Sequence, residues 1–126
     1  MQRAIRLVLL IAAAGLAELS LGRPVLAEMR LLMVEQPGCT YCAEWDRTIA
    51  PIYPKTPEGA AAPLERVQLR GPYPYGYDLA ERPIFTPTFI LVEDGSEVGR
   101  IDGYPGEDFF WGLLGRMLRD TGNFTE

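Results

Sequence analysis

The sequence predicts an α/β domain built on a mixed, four-stranded sheet with helices on both faces. Strand-like runs and helical patterns alternate through the first half of the chain, the order that produces parallel pairs. Further on, two strand-like runs meet at Glu93-Asp94-Gly95-Ser96, and the Asp-Gly step marks a tight hairpin, hence an antiparallel pair. A helical pattern from Glu107 to Arg119 closes the chain with an apolar stripe that must be buried against the sheet.

The chain has 126 residues, enough for one domain. Residues 1–27 have the features of an export signal. Arg3 and Arg6 form a basic start, Leu7 to Leu16 are almost entirely apolar, and Val25-Leu26-Ala27 offers a cleavage site. An apolar stretch of about ten residues is too short to span a bilayer, so no membrane insertion is expected once it is removed. The domain is therefore expected at 28–126, outside the cytoplasm. Of the 12 basic and 17 acidic residues, three and one respectively fall before residue 28, which leaves the domain at a net charge of −7. An acidic surface of this kind argues against nucleic-acid or anionic-membrane partners.

The first strand is Arg30-Leu31-Leu32-Met33-Val34, an apolar run too short for a helix and closed by Pro37-Gly38. Cys42, Trp45 and Ile49 then recur at helical spacing until Pro51, which places Cys39 at the mouth of a helix and Cys42 one turn in. Thr40, Glu44 and Asp46 are expected to supply early-turn polarity suited to the helix dipole. Pro51 to Pro54 form a break. Thr56-Pro57 reads as an N-cap with proline at the first helical position, opening a short helix through Ala62.

Leu64 to Leu69 alternates as a second strand, with Val67 and Leu69 inward and Leu64 and Arg66 on the opposite side. Gly71 to Tyr77 mixes turn formers with tyrosines, either a partner-contact loop or a connector packed on the body. Asp78 to Arg82 is expected to form one helical turn before Pro83. Phe85 to Val92 holds the third strand, with Pro87 among its first residues because proline cannot donate to the ladder. Glu97 to Asp102 returns as its partner. In the last helix, Phe110, Leu113, Leu114, Met117 and Leu118 make the stripe, with Phe109 and Trp111 beside it.

The chemistry is concentrated in Cys39-Thr40-Tyr41-Cys42, which holds both cysteines of the chain. A helix N-terminus carries unpaired N–H groups and about half a positive charge, so it favours thiolate over thiol. The thiolate is the form that attacks disulfides, and cysteines in this spacing titrate below a free cysteine. Cys39 is thus expected to attack and Cys42 to resolve the mixed disulfide. A purely structural bridge is the weaker reading, since so short a loop removes little entropy from the unfolded chain. Histidine is absent, which excludes Ser-His and Cys-His catalysis and His-ligated zinc. Neither a cofactor nor a metal is expected.

These features together resemble the thioredoxin superfamily: Cys-X-X-Cys after a strand, Thr86-Pro87-Thr88-Phe89 opening a later one, a hairpin and a terminal helix. The resemblance implies a thioredoxin-like fold, a cis Pro87 facing the cysteine loop, and Thr86 offering backbone hydrogen bonds to a bound client. Longer stretches, Glu35 to Cys39, Tyr53 to Gly59 and Gly103 to Trp111, resemble the SoxS-type periplasmic thioredoxins encoded with bacterial sulfur-oxidation systems. That likeness implies a periplasmic reductant that keeps a client cysteine active, with electrons from a membrane thiol donor. The chain departs from common thioredoxins in having Gly38 before Cys39 and Thr40-Tyr41 between the cysteines. Family members also use a buried carboxylate to move the resolving cysteine's proton, and Glu35, four residues before Cys39, is the candidate here.

Two other classes compete with a disulfide reductase. Cys39 and Cys42 suit Cu(I), a soft ion, although Met33 is six residues away where copper carriers hold a methionine closer. Failure to retain copper against a chelator would remove that reading. The third is a non-catalytic interaction protein, binding through Thr86-Pro87 and the tyrosine loop. Partner capture that survives loss of both cysteines would favour it.

Overall fold

The computed structural model describes residues 28–125; the expected export signal lies outside the described residues. The elements run β1 (Met29–Glu35), α1 (Thr40–Thr48), a 3₁₀ turn (Tyr53–Lys55), α2 (Pro57–Ala61), β2 (Leu64–Gln68), β3 (Thr88–Glu93), β4 (Ser96–Asp102) and α3 (Glu107–Asp120). The sheet has the order β2-β1-β3-β4, with β1 parallel to β2 and antiparallel pairs elsewhere. The mixed, four-stranded sheet is the expected one.

The central strands β1 and β3 bury both faces, which is why they read as continuous apolar runs. Leu31 and Met33 of β1, with Phe89 and Leu91 of β3, join Trp45 of α1, Ile49 at its C-cap, Ala62 after α2, and Phe110, Leu114 and Leu118 of α3 in one core. Leu32, Val34, Val67, Ile90 and Val92 form a second core on the other face. All three helices contribute to the first core. Among the described residues the second face is covered by no helix; Leu69, Tyr73, Tyr77 and Leu79 lie over it instead. The expectation of helices on both faces is corrected accordingly. Pro72, Pro74 and Pro83, with Gly71 and Gly76 at positive φ, keep that cover irregular.

Asp78 to Arg82 likewise forms no helical turn. Asp78 bridges to Ser96, its N–H donating to Gly95 O at 2.7 Å, and this pins the connector beside the hairpin. The hairpin turn places Asp94 at φ 50° and Gly95 at φ 85°, the left-handed pair that a two-residue turn requires. Thr56 caps α2 by accepting from Gly59 N at 3.0 Å. In α3, Phe110, Leu114 and Leu118 are buried, whereas Phe109 and Leu113 are exposed. The buried stripe is therefore narrower than the sequence pattern. Gly99 of β4 allows α3 to approach closely, since a Cβ there would lie 2.6 Å from Met117 Sδ. Among the described residues no helix is long and apolar enough to cross a membrane.

Candidate active site

Cys39 is the N-cap of α1, with extended backbone, and its sulfur accepts from Cys42 N at 3.2 Å. The reason is local. Pro37 and Gly38, the latter at φ 76°, turn the chain sharply out of β1, and Thr40 begins the helix at once. The two sulfurs are bonded to each other, with Cα atoms 5.2 Å apart. Cys39 is half-buried, while Cys42 is only 5% exposed and belongs to the helix-side core. No acidic side chain lies in the first turn of α1. The early-turn role expected for Glu44 and Asp46 is thus corrected: both lie a turn or more inside. The positive end of the helix is left to the Cys39 sulfur.

β1 ends beside the start of β3, with Val34 opposite Thr88, so the loops beyond them meet at the same end of the sheet. Gln36 Nε2 donates to Thr86 Oγ1 at 2.8 Å and joins the cysteine-bearing loop to the segment before Pro87. The Thr86–Pro87 peptide is cis, Pro87 is buried, and its carbonyl accepts from Gly103 N at 2.7 Å. Among the described residues nothing pairs with the backbone N–H or carbonyl of Thr86, which leaves both open to an extended chain. Tyr41, Ile84 and Phe85 are exposed around this end.

Glu35, Asp46 and Gln68 line a cleft of about 650 Å³ with Cys39 and Cys42. Of Glu35, Asp46 and Gln68, the sequence reading took only Glu35 as a site residue. Its carboxylate is not free: Arg66 Nη1 donates to Oε2 at 2.7 Å, and Gln68 Nε2 approaches Oε1 at 3.4 Å. The other arm of Arg66 donates to Asp46 Oδ1 at 2.7 Å. Arg66 also lies 5.9 Å from the Trp45 ring, and its proton is held more tightly than usual, chiefly through the bond to Asp46. Arg66, Asp46, Gln36 and Gln68 were missed as site residues. One signal was available: Arg66 follows Leu64 at strand spacing, a charge on a register otherwise turned toward the helices.

A half-exposed sulfur at a helix N-terminus, bonded to a buried partner one turn on, is an arrangement for thiol–disulfide exchange. No family model and no curated protein sequence matches the chain. Among solved structures, the periplasmic thioredoxin SoxS from Paracoccus pantotrophus, in its reduced form, is 57% identical, with a TM-score of 0.73. The match covers 75% of this chain and 99% of that one. Thioredoxin from Fasciola hepatica is 16% identical over 71% of this chain and 81% of that one, with a TM-score of 0.51, a likeness of fold. The chain belongs to the thioredoxin superfamily, and its relationship to SoxS spans nearly the whole of that protein.

Proposed function

We propose that this protein is a periplasmic protein-disulfide reductase, exported by residues 1–27, that returns an oxidised client cysteine to its thiol. The observation that carries the reading is the unequal exposure of one bonded sulfur pair, Cys39 half-exposed at the cap of α1 and Cys42 in the core.

In the reduced protein, the Cys39 thiolate attacks one sulfur of the client disulfide. A Cys39–client disulfide forms, the client S–S bond breaks, and the leaving thiolate takes a proton. Cys42 then loses its proton and attacks Cys39 Sγ, which forms the Cys39–Cys42 bond and releases the second client sulfur as thiol. The client gains two electrons and two protons; the dithiol loses both. Glu35 is the proposed acceptor for the Cys42 proton, and Thr86 holds the client backbone beside Pro87. A membrane dithiol donor restores the pair. The likeness to SoxS supports a client in a sulfur-oxidation carrier complex.

Insulin-disulfide reduction tests the activity. Cys39→Ser should abolish turnover, and Cys42→Ser should accumulate a mixed disulfide at Cys39; full turnover in either variant would overturn the reading. The direction of electron flow is tested by the couple's potential. A value near that of thioredoxin, about −270 mV, fits a reductant, whereas a value near −120 mV marks an oxidant.

A further inference from the structure

Two carboxylates share the cleft with both cysteines, and both are held by one guanidinium. Arg66 donates to Glu35 and to Asp46 at 2.7 Å each, joining the end of β1, the middle of α1 and the outer strand β2. Glu35 is 20% exposed, so its charge is less screened than that of an ordinary surface pair. Two bare anions at this place would oppose formation of a thiolate at Cys39, because like charge disfavours the charged form. One bound cation reduces the local charge from −2 to −1.

The other charges near the cysteines are few. Glu44 and Arg47 on α1 pair with each other at 3.6 Å on the exposed side. Arg70 borders the neighbouring cleft with Gln36 and Pro37. The core that buries Cys42 adds the phenols Tyr53 and Tyr104, and its remaining members from β3, β4 and α3 are apolar. Tyr41 lies within the motif itself. The segment just before β3 contributes Ile84, Phe85 and Thr86, none of them charged.

We infer that Arg66 is a positioning residue for the redox reaction: its double clamp on Glu35 and Asp46 sets the charge facing the Cys39–Cys42 pair and keeps Cys39 a thiolate. The inference rests on the proposed exchange chemistry at these cysteines. Asp46 belongs to the same clamp and cleft as Glu35, but at 42% exposed its charge is the more screened of the two. Removing Arg66 therefore weakens the nucleophile without touching either sulfur, and removing the two negative charges restores it.

The test is the thiolate absorbance of the reduced domain as a function of pH, with insulin turnover measured in parallel. Arg66→Met should move the Cys39 titration to higher pH by about half a unit or more, a change of about threefold in the ionisation constant. Arg66→Lys keeps the charge and should fall between Met and wild type. Arg66→Met with Glu35→Gln and Asp46→Asn should return the titration to the wild-type position or below. Should Arg66→Met fail to fold, Asp46→Asn alone is decisive, since it leaves a neutral Glu35–Arg66 pair and should move the titration to lower pH. An unmoved titration in Arg66→Met, or in Asp46→Asn where Arg66→Met does not fold, with turnover intact, would overturn the role of Arg66. Absence of turnover in the wild type as well would instead overturn the exchange chemistry.

Discussion

On the face that carries α1 and α3, the sheet is buried by helical side chains that interlock around Trp45, Phe89 and Phe110, whose rings lie 4.9 to 5.7 Å apart. On the opposite face, the same β1 and β3 strands bury Leu32, Val34, Ile90 and Val92 beneath an irregular segment. That cover is fastened at separate points. Tyr73 donates its hydroxyl to Leu69 O at 2.6 Å, Tyr77 donates to the Glu65 carboxylate, and Asp78 pairs with the hairpin. A helix satisfies its own backbone, whereas an irregular cover needs one fastening for each turn of chain. The helical face, on which the cysteines are mounted, is therefore expected to be the more rigid side, and local opening is expected to begin on the other.

The largest effect that could break this comparison is at Trp45, which is fully buried and contacts Tyr53, Phe89 and Phe110. Trp45→Ala should cost about 3–5 kcal/mol in urea unfolding, through the cavity it leaves. Tyr73→Ala, which loses one ring and one hydrogen bond from the irregular cover, should cost about 1–2 kcal/mol. Equal losses at the two sites would mean that the irregular cover holds the fold together as strongly as the helical core does.

Alkaline pH acts on both faces. The Tyr77 phenol is pushed up to about 12 from 10.0, first by burial and then by its bond to Glu65. Because its folded value is raised, the stability it adds is full below about pH 10 and fades as pH rises through about 12. Tyr53 is raised as well, chiefly by burial, and acts in the same sense on the helical side. Denaturation midpoints should thus fall between these pH values, and fall less steeply in Tyr77→Phe. The smallest effect is expected at Tyr75, whose ring is wholly exposed. Tyr75→Ala should change stability by no more than about 0.5 kcal/mol.

The two faces also differ in how far the sequence revealed them. Cys39 at the helix mouth, the Thr56-Pro57 cap, the Asp-Gly turn and the closing helix are local signals, written within a few residues, and each produced its element. The second face depends on contacts between residues far apart. Asp78 to Arg82 carries a composition compatible with a helical turn, but pairing with Ser96 decides its conformation. Glu35 was visible by its distance from Cys39; its partner was not, because Arg66 lies 31 residues on and reaches Asp46 across 20. Leu113 fits the periodicity of α3 and Phe109 lies beside it in the pattern, yet both stay exposed.

The burial of Cys42 also limits how the protein can be used. With its partner sulfur enclosed, Cys39 Sγ is the one atom through which electrons can enter or leave. On the proposed reductase reading, a client and a reductant would therefore have to occupy the same surface in turn, and no complex containing both would be productive. Turnover then follows two separate half-reactions, with the protein returning to the free state between them. A rise in one partner's concentration should compete with the other for the same contact, so an excess of reduced client will slow its own supply of electrons.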